Sequence, residues 1–480
     1  MNNFVVKFAG GGQTHISPLG MVFLTAAIIL ILVSPRKYII VPFLMVGLFL
    51  PGSEEIVIGS LHFFTFRILL IFAWMRVLAG RRSDQDKFHM NPIDKAFLYY
   101  ALSSAIIFSI LWMDLDAVIN RLGFLYSALG VYFLLRLLQH SEEDVDRTVK
   151  VLAIICSAFA VCMLIEQQTG RNFFSVFGGV AEFTLIRDGR LRSQASFENA
   201  ISAGIFGAAL LPVFVGLWWK KGSAKLFSIV GIIATTTMTF TSASATPIMA
   251  YLAGLLALGL WLLRKHMRLI RWGIVSMLLG LQLVMKANVW SLIERVNVVG
   301  GNSGFHRYVL VDGFIRHFFE WCLIGVKSTA SWGYFTFDEA NMYVYVGANG
   351  GLITFVLFIA IIVYCFKGIG KAVQKVQDNP QNQKFIWAFG AALFAHMVAF
   401  FGLSYFDQTL ISLYVLFAMI ASTTTQAWAP VPVRQLVEPI CRLSLHRMPV
   451  RSPRPALKSA DLRGSKPPFL GKPRTSSGNN

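Results

Sequence analysis

Residues 187–200 read RDGRLRSQASFENA and place Arg187, Arg190 and Arg192 within six positions. A second group, Arg295, Arg307, Arg316 and Lys327, falls between residues 287 and 345, with His306 beside Arg307. Arginine dominates both groups. A guanidinium is a planar fork of five donors that keeps its charge at physiological pH, so arginines brought together suit bidentate contact with phosphate oxygens. Downstream, SWGYFTFDEANMYVYVGANGG supplies Asp338, Glu339 and Asn341. A carboxylate there either takes a proton from a hydroxyl as general base or, like Asn341, caps the helix that follows. Arg67 lies about nine residues into the apolar run that includes GSLHFFTFRILL. An arginine within a membrane span costs about 2.5–3.5 kcal/mol on insertion scales and is a functional candidate, with snorkelling to the surface as the plain alternative.

The elements that must hold these residues are membrane helices. Of the 480 residues, 55% are hydrophobic and only 14% charged, and the mean hydropathy is +0.61. Apolar runs long enough to cross about 30 Å of hydrocarbon recur from residue 18 to residue 425. Thirteen spans are expected, at about 18–34, 37–50, 58–79, 96–113, 118–138, 149–166, 199–218, 226–241, 246–263, 270–286, 346–366, 385–404 and 408–425. The fold class is therefore all-α and polytopic, with about 12–14 transmembrane helices and one long, partly helical outer loop.

Alternate loops differ in cations, which sets orientation. One set carries Arg36 and Lys37, then Arg76 to Lys95, Arg136 to Lys150, Lys220 to Lys225, Arg264 to Arg271 and Lys367 to Lys384. These loops are expected in the cytoplasm. The short loops of the other set, PGSEEIVIG, MDLDAVINR, TSASATP and SYFDQT, hold Arg121 as their single basic residue and are expected outside. Only two long outer segments, about 167–198 and 287–345, break this pattern, and they hold the two arginine groups. The second includes FHRYVLVDGFIRHFFEWCLIG, whose apolar Phe305, Val309, Phe314, Phe318 and Trp321 alternate with charged positions as in a helix lying at the interface.

Residues 1–425 form the expected membrane domain, and 426–480 a disordered basic cytoplasmic tail with ten basic and two acidic residues. The inner loops and this tail account for most of the net charge of +19, which removes the usual argument for nucleic acid as a partner. Five scattered cysteines show neither metal-ligand spacing nor a disulfide framework. The first twenty residues lack the order of a removable signal peptide.

In three places the chain resembles the O-antigen ligase and polymerase superfamily of bacterial membrane glycosyltransferases. RSQASFENAISAGIFGAALLP matches the stretch opening a middle span, through Arg192, Phe197, Asn199 and Leu211-Pro212. RYVLVDGFIRHFFEWCLIGVK matches an outer helix that opens on Arg307 and ends at Gly325. ANMYVYVGANGGL approximates a final His-Asn-x-Tyr and Gly-Leu pattern. Departures fall at Ala340 in place of the family histidine, at Asn349 in place of an acid, and at Lys327 in place of a second glycine.

The resemblance implies an enzyme of the bacterial inner membrane that needs neither metal nor cofactor. Its donor would be an undecaprenyl-pyrophosphate-linked glycan, and its surroundings membrane lipid, with a flippase and a chain-length regulator of the same pathway as further partners. Arg192 and Arg307 would stabilise the pyrophosphate leaving group, with Glu339 or Asp338 as base. Arg190, Arg316, Arg67, Asn199, Asn341, His306 and Lys327 would bind substrate. The missing histidine favours a polymerase over a ligase acting on lipid A core or protein. A transporter or flippase of lipid-linked sugars is the alternative from another class.

Overall fold

The computed structural model describes residues 14, 16–58, 61–80, 88–295, 303–334 and 336–428. Nearly all of the expected tail, and Arg81, Arg82 and Lys87 of one cation-rich loop, lie outside the described residues. The protein is an all-α, polytopic membrane protein. Helices α1 (Pro18–Val33), α2 (Ile40–Phe49), α3 (Thr65–Ala79), α4 (Pro92–Trp112), α5 (Leu115–Leu138) and α6 (Glu142–Thr169) make the first part. There follow α7 (Ala200–Leu217), α8 (Ala224–Thr241), α9 (Ala245–Gly259) and α10 (Met267–Val284), then the short α11 (Leu292–Arg295), α12 (Ser303–Arg316) and α13 (Phe318–Trp321). Finally come α14 (Met342–Lys375), α15 (Pro380–Ala399) and α16 (Asp407–Trp428).

Each of the thirteen expected spans overlaps one of these helices. Among the described residues, eight helical stretches are long and apolar enough to cross a membrane, one of which carries both α9 and α10. The run at 58–79 is corrected. Glu55–Ile58 (β1) and Leu61–Phe64 (β2) pair as an antiparallel hairpin with Glu55 opposite Phe64, and the helix begins only at Thr65. Ile56, Val57, Phe63 and Phe64 are β-branched or aromatic and favour strand over helix, which a count of apolar residues does not distinguish.

Helix α7 is the centre of the bundle. All but two of its eighteen residues are buried, and it packs against α8, α9, α15 and α16. Its glycines and alanines permit this; a Cβ at Gly207 would press on the Thr235 carbonyl and the Met238 side chain of α8 at 2.9 Å.

The cation-rich and cation-poor loops gather at opposite ends. At one end Arg36 bonds the Leu137 carbonyl, Arg147 the Lys37 carbonyl, and Lys220 pairs with Glu142 and Asp146. Beside them a buried Asp94 carboxylate accepts from the Tyr132 hydroxyl at 2.6 Å and from Arg136 Nε at 3.2 Å. Arg136 also reaches Ser422 and Thr425, locking α4, α5 and α16 together. At the other end Gln408 Nε2 donates to the Leu50 and Ser196 carbonyls, and the Met342 N–H bonds the Phe400 carbonyl.

That second end is closed by a contact between two backbones. Helix α14 breaks at Gly351, whose φ of 65° is left-handed, and its N–H neighbour Leu352 donates to the Cys322 carbonyl. Val326 N–H in turn donates to the Ala348 carbonyl at 2.7 Å, with Gly325 also left-handed at φ 86°. A Cβ on Gly325 would collide with the Ala348 carbonyl oxygen, and one on Gly351 with the Leu323 carbonyl oxygen. Replacing either glycine with alanine should destabilise the fold by at least the roughly 1–2 kcal/mol of a left-handed backbone. Thermal unfolding in detergent checks this, and an unchanged Tm in both variants would contradict the contact.

Candidate anion-binding site

The backbone from Arg192 to Asn199 is fixed before any ligand is considered. The Glu166 carboxylate, buried at the end of α6, accepts from the Gln194 N–H at 3.1 Å, the Ala195 N–H at 3.0 Å and the Thr184 hydroxyl at 3.2 Å. Asn172 Nδ2 donates to the Ala195 carbonyl, the Ser193 N–H donates to the Thr241 carbonyl, and the Ser196 hydroxyl donates to the Leu48 carbonyl. Asn199 ends the segment as N-cap of α7, accepting from the Ser202 N–H. Arg192 therefore leaves a backbone held from several sides.

Arg307 arrives from α12. It shares one helix face with Leu310 and Phe314, at i, i+3 and i+7, and that face packs with Trp321, Trp332, Val344 and Ala348. Sequence patterning had set Arg307 among the charged positions and Phe305 and Phe318 among the apolar ones. In the structure Arg307 is 8% exposed, whereas Phe305 and Phe318 are 43% and 36% exposed.

The two arginines meet at the turn between α8 and α9. Arg192 Nη2 donates to the Ser244 hydroxyl at 2.5 Å, and Arg307 Nη2 donates to the Thr246 hydroxyl at 2.7 Å. Ser244 is the N-cap of α9 but makes no side-chain capping bond, so the Ala245 and Thr246 N–H groups remain available, Pro247 having none. Ala243 holds the turn in a left-handed conformation, φ 44°. An open cleft results, with Arg187, Arg190, Arg192 and Arg307 in its wall beside Ser244 and Thr246. Asp188 is the single acid there.

The electrostatics are those of a net positive site, with Asp188 3.9 Å from Arg187 as its one partial counter-charge. Burial lowers the pKa of Arg192, with Arg187 adding to the effect and Asp188 opposing it, and burial lowers that of Arg307. Arg192 Nε is buried without a hydrogen-bond partner. Two desolvated guanidinium groups at the start of a fifteen-residue helix combine a fixed charge, free donors and the helix dipole on one spot. The arrangement suits an anion with several oxygens.

Other candidates are placed elsewhere. Arg316 is 65% exposed and pairs with Asp312 four residues earlier at 2.7 Å, so its charge is spent on α12. Arg67 is the third residue of α3, not the ninth of a span; its Nε donates to the Ser127 hydroxyl, Nη1 to the His62 carbonyl, and the group lies over Phe64. It clamps the hairpin to α5. Asn341 caps α14 through the Tyr343 and Val344 N–H groups, while its Nδ2 is buried without a partner. Lys327 lies over the Trp112 ring at 5.5 Å, and His306 does not line the cleft.

Asp338 is exposed and Glu339 half-buried, and neither lines the cleft. Glu339 accepts from Asn349 Nδ2 at 2.8 Å and lies 3.5 Å from the Thr329 hydroxyl. Burial, opposed by these bonds, pushes its pKa up to about 7. Ser244 and Thr246 in the cleft wall, and Glu166 behind it, are positions that residue patterns did not single out. No family model and no curated protein matches the chain.

The Glu339 environment has a consequence for stability. Its pKa is raised on folding, so the folded state disfavours its ionisation, and stability present at low pH is lost as pH rises through about 7. Glu339→Gln removes that loss. The Tm advantage of the variant over the wild type should grow between pH 5 and pH 8, and a pH-independent difference would contradict the assignment.

Proposed function

We propose that this chain is a glycosyltransferase that polymerises polyprenyl-pyrophosphate-linked oligosaccharide repeat units at the outer face of a bacterial inner membrane. The observation that carries the reading is the convergence of Arg192 and Arg307, 115 residues apart, with the open start of α9. The cleft sits at the cation-poor end, the end that charge asymmetry assigns to the outside. A flipped lipid-linked sugar presents its pyrophosphate at that level.

In the proposed reaction an acceptor hydroxyl attacks the anomeric carbon of the donor sugar. A new carbon–oxygen bond forms as the bond to the pyrophosphate oxygen breaks, with inversion. The leaving group gains charge as the bond breaks, and Arg192, Arg307 and the α9 N–H groups stabilise it from fixed positions. Arg187 and Arg190, on the hairpin formed by Ile186–Arg187 (β3) and Arg190–Leu191 (β4), strengthen the field over the cleft. Glu339, which lies outside the cleft wall against Thr329 and Asn349, would take the hydroxyl proton from an acceptor entering on that side, where its carboxylate titrates near neutrality. The buried donors lose water once, during folding, and need not be reorganised during the reaction.

Charge placement at one end favours this chemistry over transport, which needs a path between both ends. A ligase would share the donor half of the site and differ in what the acceptor carries. The test is conversion of a lipid-linked repeat by the purified protein. Arg192→Ala and Arg307→Ala should each lower the rate by roughly two to three orders of magnitude, as removal of one transition-state donor commonly does. Both variants should remain monodisperse, and polymer of normal length and rate from both would end the proposal.

A further inference from the structure

Arg121 belongs to no loop. It is the seventh residue of α5, about 9 Å along the helix from its start, and only 8% of it is exposed. Its guanidinium lies 3.5 Å from the centre of the Phe108 ring on α4, with Phe124 on α5 at 5.7 Å. Its Nε is buried without a hydrogen-bond partner. Among the described residues no ion pair includes it. The contrast with Arg136 at the other end of the same helix is direct, since Arg136 is just as buried but pairs with Asp94. An unpaired arginine inside a membrane span is costly to keep. Cation–π contact with an aromatic face offsets only part of that cost, and an anion would offset the rest.

A second cation sits over the next ring along α4. Phe108 packs on Trp112 at 5.9 Å, and the Lys327 ammonium lies over Trp112. Arg121 and Lys327 therefore bracket one aromatic ladder at the outer end of α4. The Tyr100 phenol on α4 lies within electrostatic reach of Arg121. Lys327 is exposed, and two residues on, Thr329 contacts Glu339. None of Arg121, Lys327 or Tyr100 lines the Arg192–Arg307 cleft.

We propose that Arg121 and Lys327 form a second phosphate-binding site, occupied by the lipid-phosphate head of the acceptor chain. The inference rests on the polymerase reading, because joining two lipid-linked glycans requires two lipid-phosphate heads at the surface together. It gives the departure at Lys327 a role, and it sets Glu339 beside the acceptor whose hydroxyl it deprotonates. A transferase with a phosphate-free acceptor has no use for this pair.

The test counts undecaprenyl pyrophosphate molecules bound to the purified chain in phosphatidylcholine nanodiscs by native mass spectrometry. Wild type should hold two, and Arg121→Gln and Arg192→Gln one each. Lys327→Ala, at an exposed position that leaves folding intact, should weaken one of the two by about tenfold, the scale of one charge-assisted contact. A single molecule on the wild type, or two on Arg121→Gln with unchanged affinity in Lys327→Ala, would overturn the inference. Arg121→Lys serves if the glutamine variant does not elute as a single species, and should retain the second molecule. Phosphatidylglycerol competition separates the sources: displacement of the Arg121-dependent molecule at equal concentration would assign the pair to ordinary anionic lipid and sink the acceptor role. A second molecule lost with Arg121 while Arg192→Gln changes nothing would instead refute the donor site and leave this one standing.

Discussion

The buried carboxylate of Glu166 is the constraint on which the cleft depends. One side chain at the end of α6 gathers the Gln194 and Ala195 N–H groups and the Thr184 hydroxyl, and so fixes the strand of chain that presents Arg192. A carboxylate removed from water is costly unless each oxygen is satisfied by donors. Here the donors are two backbone N–H groups of an irregular loop and one threonine hydroxyl. The requirement of the acid and the requirement of the loop are met by the same bonds, and they leave Arg192 without freedom to fold back on its own loop.

Arg307 is fixed by a different means. Its helix is held by apolar packing and by the backbone contact of Gly325 with the broken helix α14. One arginine thus depends on polar bonds and the other on packing, and they meet over Ser244 and Thr246. The cleft is rigid because two unrelated kinds of interaction agree on one place. That agreement also explains why a short, neutral turn such as TSASATP sits between two cationic loops: its hydroxyls separate the guanidinium groups without neutralising them.

Much of this architecture was legible in the sequence, because hydrophobic length and the distribution of cations both act over tens of residues and tolerate local error. The reading failed where an apolar run was not a helix, at Leu61–Phe64, and Arg67 was misplaced as a consequence. Arg192 and Arg307 could be singled out because arginine in outer loops is anomalous. Arg316 could have been set aside from its spacing, since Asp312 stands four residues earlier on the same helix. Glu166, Ser244 and Thr246 carried no signal of that kind. A glutamate at a helix end and hydroxyls in a turn are common, and only the folded chain shows what they hold. Arg121 was visible but was read as a loop residue, when its burial in α5 is what makes it unusual.

Helix α10 has no buried residue. Within the chain its side chains face outward, so its stability asks for apolar surroundings and length rather than for any particular neighbour. The demand on it differs from that on α7, where all but two of eighteen residues are buried. An exchange on α10 disturbs no buried contact within the chain, whereas nearly any exchange on α7 must be absorbed by a neighbouring helix.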